Sequence, residues 1–247
     1  MNILETDNLS MAFDDQKIIE DISIHVEKGE LVSLLGLSGS GKTTLFNCIA
    51  GIYQPVSGRV LMEGKDITGE TGHLAYMLQK DLLLPYYTIE DNVALPLVIR
   101  GQSRKAARED VQEYFPEFGL EDTQKKYPSQ LSGGMRQRAA LLRTYMFSDS
   151  MALLDEPFSA LDTITKSSIH EWYLDIMERI NLSTIFITHD IDEAILLSDR
   201  IYILQGRPGR INGELRIEPP RRERAGFNLT EQFLEYKRSI IDQIRAQ

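Results

Sequence analysis

The sequence predicts an α/β fold, and three observations support this prediction. Residues 31–35 form an almost continuous apolar run, which is typical of a strand buried on both faces of a sheet. A loop rich in glycine and serine follows this run, and a helical pattern begins directly behind the loop. Two later apolar runs, at residues 151–154 and 184–188, each end in polar residues. This succession of buried strands and helices predicts the α/β class.

The first part of the chain leads into this core. Residues 22–26 alternate apolar and polar side chains, which predicts a half-buried strand, and a turn at residues 27–30 joins it to the first apolar run. Behind the glycine-rich loop, a helix is predicted from Thr44 to Ala50, where Gly51 ends it.

The middle of the chain has a different pattern. From about Gln79 to Ser148 it carries helical patterns and few strand signals. Ser103 is the predicted cap of a helix that continues to Tyr114. We therefore predict an inserted helical subdomain at about residues 80–148.

The end of the chain combines a last strand with a terminal helix. Residues 201–204 predict the strand, and apolar side chains recur at helical spacing in the tail. These side chains belong to Leu229, Phe233, Tyr236, Ile240 and Ile244. We expect this stripe to pack onto the domain. The predicted organisation is a main domain at residues 1–205 and a C-terminal extension at 206–247 that ends in a helix.

Composition and charge argue against nucleic acid as a partner. The chain of 247 residues has a formal net charge of −10, and its basic residues are scattered. Because clustered Lys and Arg side chains supply most of the affinity for phosphate backbones, no nucleic-acid partner is expected. The one dense basic cluster, at residues 221–224, is interpreted as a solvated surface segment.

Three features predict a reducing compartment and no bilayer segment. The single cysteine, Cys48, cannot form an internal disulfide. The N-terminus lacks the basic and apolar regions of a secretory signal. The longest apolar runs, such as residues 94–99, are much shorter than the roughly 20 residues that span a bilayer. We expect a cytoplasmic protein that reaches a membrane only through a partner.

The glycine-rich loop has the pattern of a phosphate-binding loop. Residues 36–44 read G-L-S-G-S-G-K-T-T and fit G-x-x-x-x-G-K-S/T, with a strand before and a helix behind. Glycines let backbone N–H groups turn toward phosphate oxygens, and the helix adds its positive N-terminus. Lys42 supplies an ammonium group for the β- and γ-phosphates, and Thr43 offers a hydroxyl to Mg²⁺. The predicted ATP-binding residues are Gly36, Ser38, Gly39, Ser40, Gly41, Lys42, Thr43 and Thr44.

Five segments in a fixed order narrow the class of nucleotide-binding protein. Residues 131–138 read L-S-G-G-M-R-Q-R and resemble the LSGGQ signature of ABC ATPases, with Ser132 as a predicted helix cap. Four other segments resemble that family's Q-loop, Walker B motif, D-loop and switch-histidine region: residues 76–79, 151–157, 159–162 and 187–190. The chain is therefore identified as a member of the ABC transporter ATPases.

This resemblance implies a P-loop NTPase core of ABC type, with an N-terminal antiparallel β subdomain and an inserted α-helical subdomain. It also implies roles for single residues. Phe13, where the family usually has Tyr, stacks on adenine. The implied catalytic residues are Glu156 as general base or water-positioning group, His189 at the γ-phosphate, and Gln79. The implied Mg²⁺ ligands are Thr43, Gln79 and Asp155.

The resemblance further implies that the site is complete only in a dimer. Ser132, Gly133 and Gly134 act on ATP bound by the other subunit of a head-to-tail homodimer, which closes when ATP binds. Asp162 of the D-loop joins the nucleotide-binding residues.

A more specific resemblance concerns the transported solute. Residues 83–93, 189–194 and 207–211 are similar to the importer ATPases for nitrate, sulfonate and taurine. This similarity implies that hydrolysis energises uptake of such a solute through separate integral-membrane permease subunits, with a solute-binding protein as an indirect partner. The predicted docking surface for the permease is a groove near Gln79 to Tyr87, which contains the apolar side chains of Leu82, Leu83, Leu84, Tyr86 and Tyr87. The subunit would then be peripheral on the inner face of the cell membrane.

Two other functions account for part of the sequence. A non-transport ABC ATPase of DNA repair, chromosome handling or the ribosome usually carries a long coiled coil or two cassettes. This chain has one cassette and no sustained heptad pattern. A P-loop kinase would not explain residues 131–138, and ATP hydrolysis without phosphorylation of an acceptor would separate it from an ATPase. The choice of solute lies with the membrane and solute-binding subunits.

Overall fold

The computed structural model of the chain describes residues 1–148, 150–159, 163–224 and 226–245, and for residues 163–168 and 222 it describes the backbone alone. The chain forms two compact units. The first unit consists of residues 1–74 and 183–247, and the second unit of residues 75–182. Both units combine strands with helices, as the predicted α/β class requires.

The strands are β1 (Asn2–Phe13), β2 (Gln16–Ile22), β3 (His25–Glu27), β4 (Leu31–Gly36), β5 (Ser57–Met62), β6 (Lys65–Asp66), β7 (Ala75–Met77), β8 (Met151–Asp155), β9 (Ser183–Thr188), β10 (Arg200–Gln205) and β11 (Arg210–Arg216). The α-helices are α1 (Lys42–Ile49), α2 (Ile89–Ile99), α3 (Arg104–Asp110), α4 (Tyr114–Glu117), α5 (Gly133–Phe147), α6 (Thr163–Ile180), α7 (Ile191–Leu197) and α8 (Glu231–Arg245). Among the residues described, no helix has the length and apolar character needed to cross a membrane.

The first unit contains an antiparallel and a mainly parallel arrangement of strands. β1 pairs antiparallel with β2, β3 and β5, and β6 pairs with β5. β10, β4 and β9 are parallel neighbours, and β11 pairs antiparallel with β10. Every residue of β4 and β9 is buried, as expected for central parallel strands. In the second unit, β7 and β8 form a parallel pair.

The strand predicted at residues 22–26 is interrupted. β2 ends at Ile22 and β3 begins at His25. Between them, Thr6 Oγ1 donates to the carbonyl oxygen of Ile22 at 3.0 Å and accepts the N–H of Ile24 at 3.0 Å. The hydroxyl group of Thr6 therefore replaces backbone hydrogen bonds of the strand between Ile22 and Ile24. For this reason the prediction of one continuous strand was wrong.

Helix α1 starts two residues earlier than predicted, at Lys42 instead of Thr44. Cys48 lies on its buried face. Burial raises the pKa of the Cys48 thiol to about 12, so the thiol is protonated and unreactive at neutral pH.

The helix predicted from Ser103 to Tyr114 is divided into two. The hydroxyl of Ser103 accepts a backbone N–H at 3.2 Å, so the predicted cap is confirmed. However, α3 ends at Asp110 and α4 begins at Tyr114. If the helix continued through Pro116, the proline ring would clash with the carbonyl group of Gln112. Between α3 and α4, the backbone hydrogen bonds accordingly join residues that are three positions apart, not four.

The tail packs onto the first unit, as predicted. Phe233 and Ile240 of α8 are buried in a cluster with side chains of α7, β4 and β10, and Tyr236 and Ile244 pack against it. Leu229 is an exception, because it precedes the helix and is 87 % exposed.

The basic cluster at residues 221–224 was interpreted as a solvated segment, and this was wrong for Arg224. Arg224 is 3 % exposed. Its guanidinium donates to the carbonyl oxygens of Ile195, Leu196 and Ser198 at 3.2, 3.2 and 2.6 Å, where α7 ends. Burial lowers the pKa of Arg224 to about 10, so the group stays charged at neutral pH. A buried cation thus caps α7 and ties the tail to it.

Replacing Arg224 with Met is expected to lower the free energy of unfolding by about 3 kcal/mol, because buried carbonyl groups lose their donors. For a chain of this size the melting temperature should fall by roughly 6 to 12 °C. Calorimetry is the measurement, with Arg238→Met as the matched control, because Arg238 is exposed on α8. Equal melting temperatures for the two variants would contradict the capping role.

Candidate functional site

The phosphate-binding loop connects β4 to α1 in the first unit. Gly41 has a φ of +97°, and a Cβ atom there would lie 2.6 Å from Cγ2 of Ile19. Gly39 has a φ of +80°. Both conformations favour glycine, and at Gly41 the close neighbour also leaves no room for a side chain. The structure therefore places residues 36–44 at the carboxyl end of a buried strand, in a tight loop and the first turn of α1.

Lys42 is the buried cation of this loop. It is 7 % exposed, and its Nζ donates to the carbonyl oxygens of Gly36 and Leu37 at 2.9 and 3.0 Å. The side chain thus turns back over the beginning of the loop. An ammonium group held there, together with the N-terminus of α1, forms a positive environment suited to phosphate.

Phe13 lies at the end of β1 with part of its ring open to solvent. The ring is 43 % exposed and meets Tyr53 edge to face, with 5.4 Å between the ring centroids. Such packing fixes the orientation of the ring. Tyr53 is a neighbour that sequence reasoning did not single out.

His189 follows β9 and precedes α7. Leu35 of β4 pairs with Thr188 of β9 in parallel register, so the phosphate loop and His189 leave the sheet at the same edge. The turn is held by hydrogen bonds. Thr188 donates to the buried carboxylate of Glu193, and Asp190 caps α7 by accepting two backbone N–H groups at 3.0 and 3.2 Å.

The second unit brings two predicted catalytic residues into contact. Nε2 of Gln79 donates to Oε2 of Glu156 at 3.0 Å. Glu156 follows Asp155, the buried last residue of β8, and its backbone has a φ of +47°. This left-handed conformation is uncommon outside glycine and occurs preferentially at functional positions. The sequence predicted both residues but not the contact between them.

The signature segment forms the N-terminus of α5 in the same unit. Ser132 caps the helix by accepting the N–H of Met135 at 3.3 Å, which confirms the predicted cap. Gly133 and Gly134 are the first two residues of the helix. Helix N-termini of this kind attract anions. Asp162, the other residue predicted to bind nucleotide in this part of the chain, lies outside the described residues.

The apolar loop at residues 82–87 is largely exposed, and hydrogen bonds hold its backbone. Tyr86, Leu82 and Leu84 are 91 %, 50 % and 39 % exposed, whereas Leu83 is buried. The amide of Asn92 holds the loop from inside: it accepts the N–H of Leu84 at 2.6 Å and donates to three carbonyl oxygens at 3.0 to 3.3 Å. The loop therefore presents apolar side chains on a fixed backbone.

The predicted Mg²⁺ ligands have suitable chemistry. Thr43 offers an exposed hydroxyl in the first turn of α1, and Asp155 ends β8 with a carboxylate. Gln79 directs its amide nitrogen to Glu156, so its amide oxygen is the atom left for a cation. Hydroxyl, carboxylate and amide oxygens are hard ligands of the kind that Mg²⁺ prefers. Each of the three side chains therefore offers an oxygen atom of the type that Mg²⁺ accepts.

Comparison with known proteins agrees with this description. The family model described as ABC transporter matches residues 19–159. The formylaminopyrimidine import ATP-binding protein ThiZ of Halalkalibacterium halodurans is 40 % identical, over 99 % of this chain and 95 % of its own length. The nitrate import ATP-binding protein NrtD of Synechocystis sp. is 37 % identical, over 93 % of this chain and 88 % of its own length.

A solved structure gives the same result at the level of the fold. It is described as a dimeric, post-hydrolysis state of an ATP-binding cassette with ADP and phosphate bound. It has a TM-score of 0.73 and 26 % identity, and covers 88 % of this chain and all of its own. The predicted family and the predicted ABC-type fold are confirmed. The chain therefore belongs to the ABC transporter family, as one of its ATP-binding subunits, an ATPase coupled to transport.

Proposed function

We propose that this ATPase energises the uptake of a small solute of the nitrate, sulfonate or taurine kind through separate membrane subunits. The proposal that the chain hydrolyses ATP in this process rests on the hydrogen bond of 3.0 Å between Gln79 and Glu156. The backbone of Glu156 has the left-handed conformation. The relatives named for nitrate and for formylaminopyrimidine support an importer.

The first unit would bind the nucleotide. Phe13 offers a ring face to adenine, and residues 36–44 wrap the phosphates with Lys42 as the cation. Thr43, Gln79 and Asp155 would hold Mg²⁺, which neutralises charge on the phosphate oxygens when it is bound.

Glu156 would take the proton of the attacking water. The N–H donated by Gln79 to Oε2 orients the carboxylate, so that it need not reorganise when the water arrives. His189, held by the turn between β9 and α7, would contact the γ-phosphate and this water. Both groups act by position and charge, because phosphoryl transfer to water needs no covalent intermediate.

Ser132, Gly133 and Gly134 would act on ATP bound by a second copy of the chain. The Ser132 hydroxyl already caps α5, so backbone N–H groups of the first turn and this oxygen lie together at one helix end. Asp162 is proposed to join them. A head-to-tail homodimer that closes on ATP would exclude water from the nucleotide. The cassette described as dimeric supports this arrangement.

The membrane permease would dock on the apolar loop at residues 82–87. Changing Leu84 and Tyr86 together to Asp should abolish assembly with the permease, because two carboxylates would be desolvated in an apolar contact. Nucleotide binding by the isolated subunit should stay unchanged. The bonds from Asn92 reach backbone atoms of Leu84, so the loop should keep its shape.

The measurement is co-purification of the permease with the tagged subunit. Ile99→Asp combined with Tyr127→Asp is the matched control, because both side chains are exposed apolar groups of the second unit outside the loop. Equal recovery of the permease with both double variants would place the docking surface elsewhere.

The solute is tested by reconstitution. The subunit, its permease and its solute-binding protein are placed in proteoliposomes, and ATP hydrolysis is measured with nitrate, an alkanesulfonate, taurine or a formylaminopyrimidine as solute. Stimulation by one of the first three supports the proposal. Stimulation by formylaminopyrimidine alone would contradict the proposed solutes and would indicate the solute in the name of ThiZ, the relative that is 40 % identical.

A further inference from the structure

The segment at residues 206–210 contacts the phosphate loop. Gly209 donates its N–H to the carbonyl oxygen of Ile18 at 2.8 Å and accepts the N–H of Glu20 at 2.9 Å. A Cβ atom on Gly209 would lie 2.1 Å from the carbonyl oxygen of Ser40. The segment is therefore fixed between β2 and the phosphate loop, and the absence of a side chain at Gly209 allows this close approach.

Arg207 extends from this segment across the loop. Its Nη2 lies 3.0 Å, and its Cζ 3.9 Å, from the position that a Cβ atom on Gly39 would occupy. The guanidinium thus lies against Gly39, on the side to which a Cβ atom would project. Together with Leu37, Ser38 and Ser40 of the loop, it lines a cavity of about 320 Å³. The guanidinium of Arg207 therefore faces the same cavity as residues of the predicted phosphate loop.

Among the described residues, none neutralises the charge of Arg207. Within the described ranges, no carboxylate lies within ion-pair distance of its side chain, which is exposed. Its neighbour Arg210 differs, because Nη2 of Arg210 pairs with Oε2 of Glu20 at 2.6 Å. Since the chain carries a formal net charge of −10, a nucleotide polyanion meets a repulsive average field, and an unpaired cation at the loop counteracts it.

We infer that Arg207 is a second cationic group, beside Lys42, that binds the phosphates of the nucleotide. The inference rests on the proposed binding of ATP by residues 36–44. The two cations contact different parts of the loop: Lys42 donates to the carbonyl oxygens of Gly36 and Leu37, whereas Arg207 lies against Gly39. The planar guanidinium presents several N–H donors in the geometry that phosphate oxygens accept.

The test is a titration with a fluorescent ATP analogue at several salt concentrations. Arg207→Gln should weaken binding about tenfold at low salt and make the affinity less dependent on salt, because one attractive charge is removed. Arg207→Lys should retain most of the affinity, since the charge is kept. Arg210→Gln, a matched control from the same segment, should bind like the parent chain. Melting temperatures without nucleotide should be similar for all three variants.

Lys42→Ala in the same titration separates the two possible failures. If Lys42→Ala weakens binding strongly and Arg207→Gln does not, the inference about Arg207 is wrong and the proposed phosphate site stands. If Arg207→Gln and Arg210→Gln weaken binding equally, the segment acts through packing, which also overturns the inference. If Lys42→Ala has no effect, the proposed phosphate site itself is wrong.

Discussion

Replacing Lys42 with Ala is expected to weaken ATP binding and to lower turnover, each by about a hundredfold or more. The variant loses the only buried lysine among the described residues of the loop, and with it the charge that Nζ brings to the site. The backbone conformation of the loop should persist, because its turns depend on Gly39 and Gly41. Nucleotide titration and steady-state hydrolysis are the measurements.

Lys28→Ala is the control for this variant, since Lys28 is exposed in the turn before β4 and belongs to the same unit. It should leave affinity and turnover unchanged. Near-normal hydrolysis by Lys42→Ala would remove residues 36–44 from the phosphate site, and a large loss in Lys28→Ala would point to a general charge effect.

Glu156→Gln is expected to lower turnover about a thousandfold while ATP still binds. The amide oxygen of the new side chain can still accept the N–H of Gln79, so the contact should survive. Glutamine also tolerates the left-handed backbone at this position about as well as glutamate does. Removing a negative charge next to a polyanion further favours the ATP-bound state.

The same variant tests the dimer. With Mg²⁺ and ATP, Glu156→Gln should accumulate as a closed homodimer, which light scattering would detect as a doubled mass. Glu178→Gln, on an exposed part of α6, should keep its activity and show no such accumulation. Retained turnover in Glu156→Gln would exclude Glu156 as the base, whereas lost turnover without a dimer would mean that closure requires the permease.

Much of the candidate site could be predicted from the sequence because its motifs are short and local. A phosphate loop consists of consecutive residues, and the signature segment carries its own cap at Ser132. Buried strands such as β4 and β9 are visible as apolar runs because each is apolar on both faces. The break before α4 was also visible in principle, since Pro116 is in the sequence.

Contacts between residues far apart in the sequence could not be predicted, because a local sequence pattern does not indicate which distant side chains come together. Gln79 and Glu156 are separated by 77 positions and meet only because their segments fold into one unit. Thr6 interrupts a strand 16 residues away through its hydroxyl.

The basic residues of the tail show the same limit most clearly. The family, the order of the motifs and the residue types of the candidate site could be predicted from the sequence, because they depend on chemistry and on spacing along the chain. The burial of Arg224 as a helix cap, the pairing of Arg210 and the position of Arg207 at the phosphate loop became visible only in the folded chain. The physical reason is that the environment of a charge depends on burial and on its partners, and both arise only when distant segments pack together.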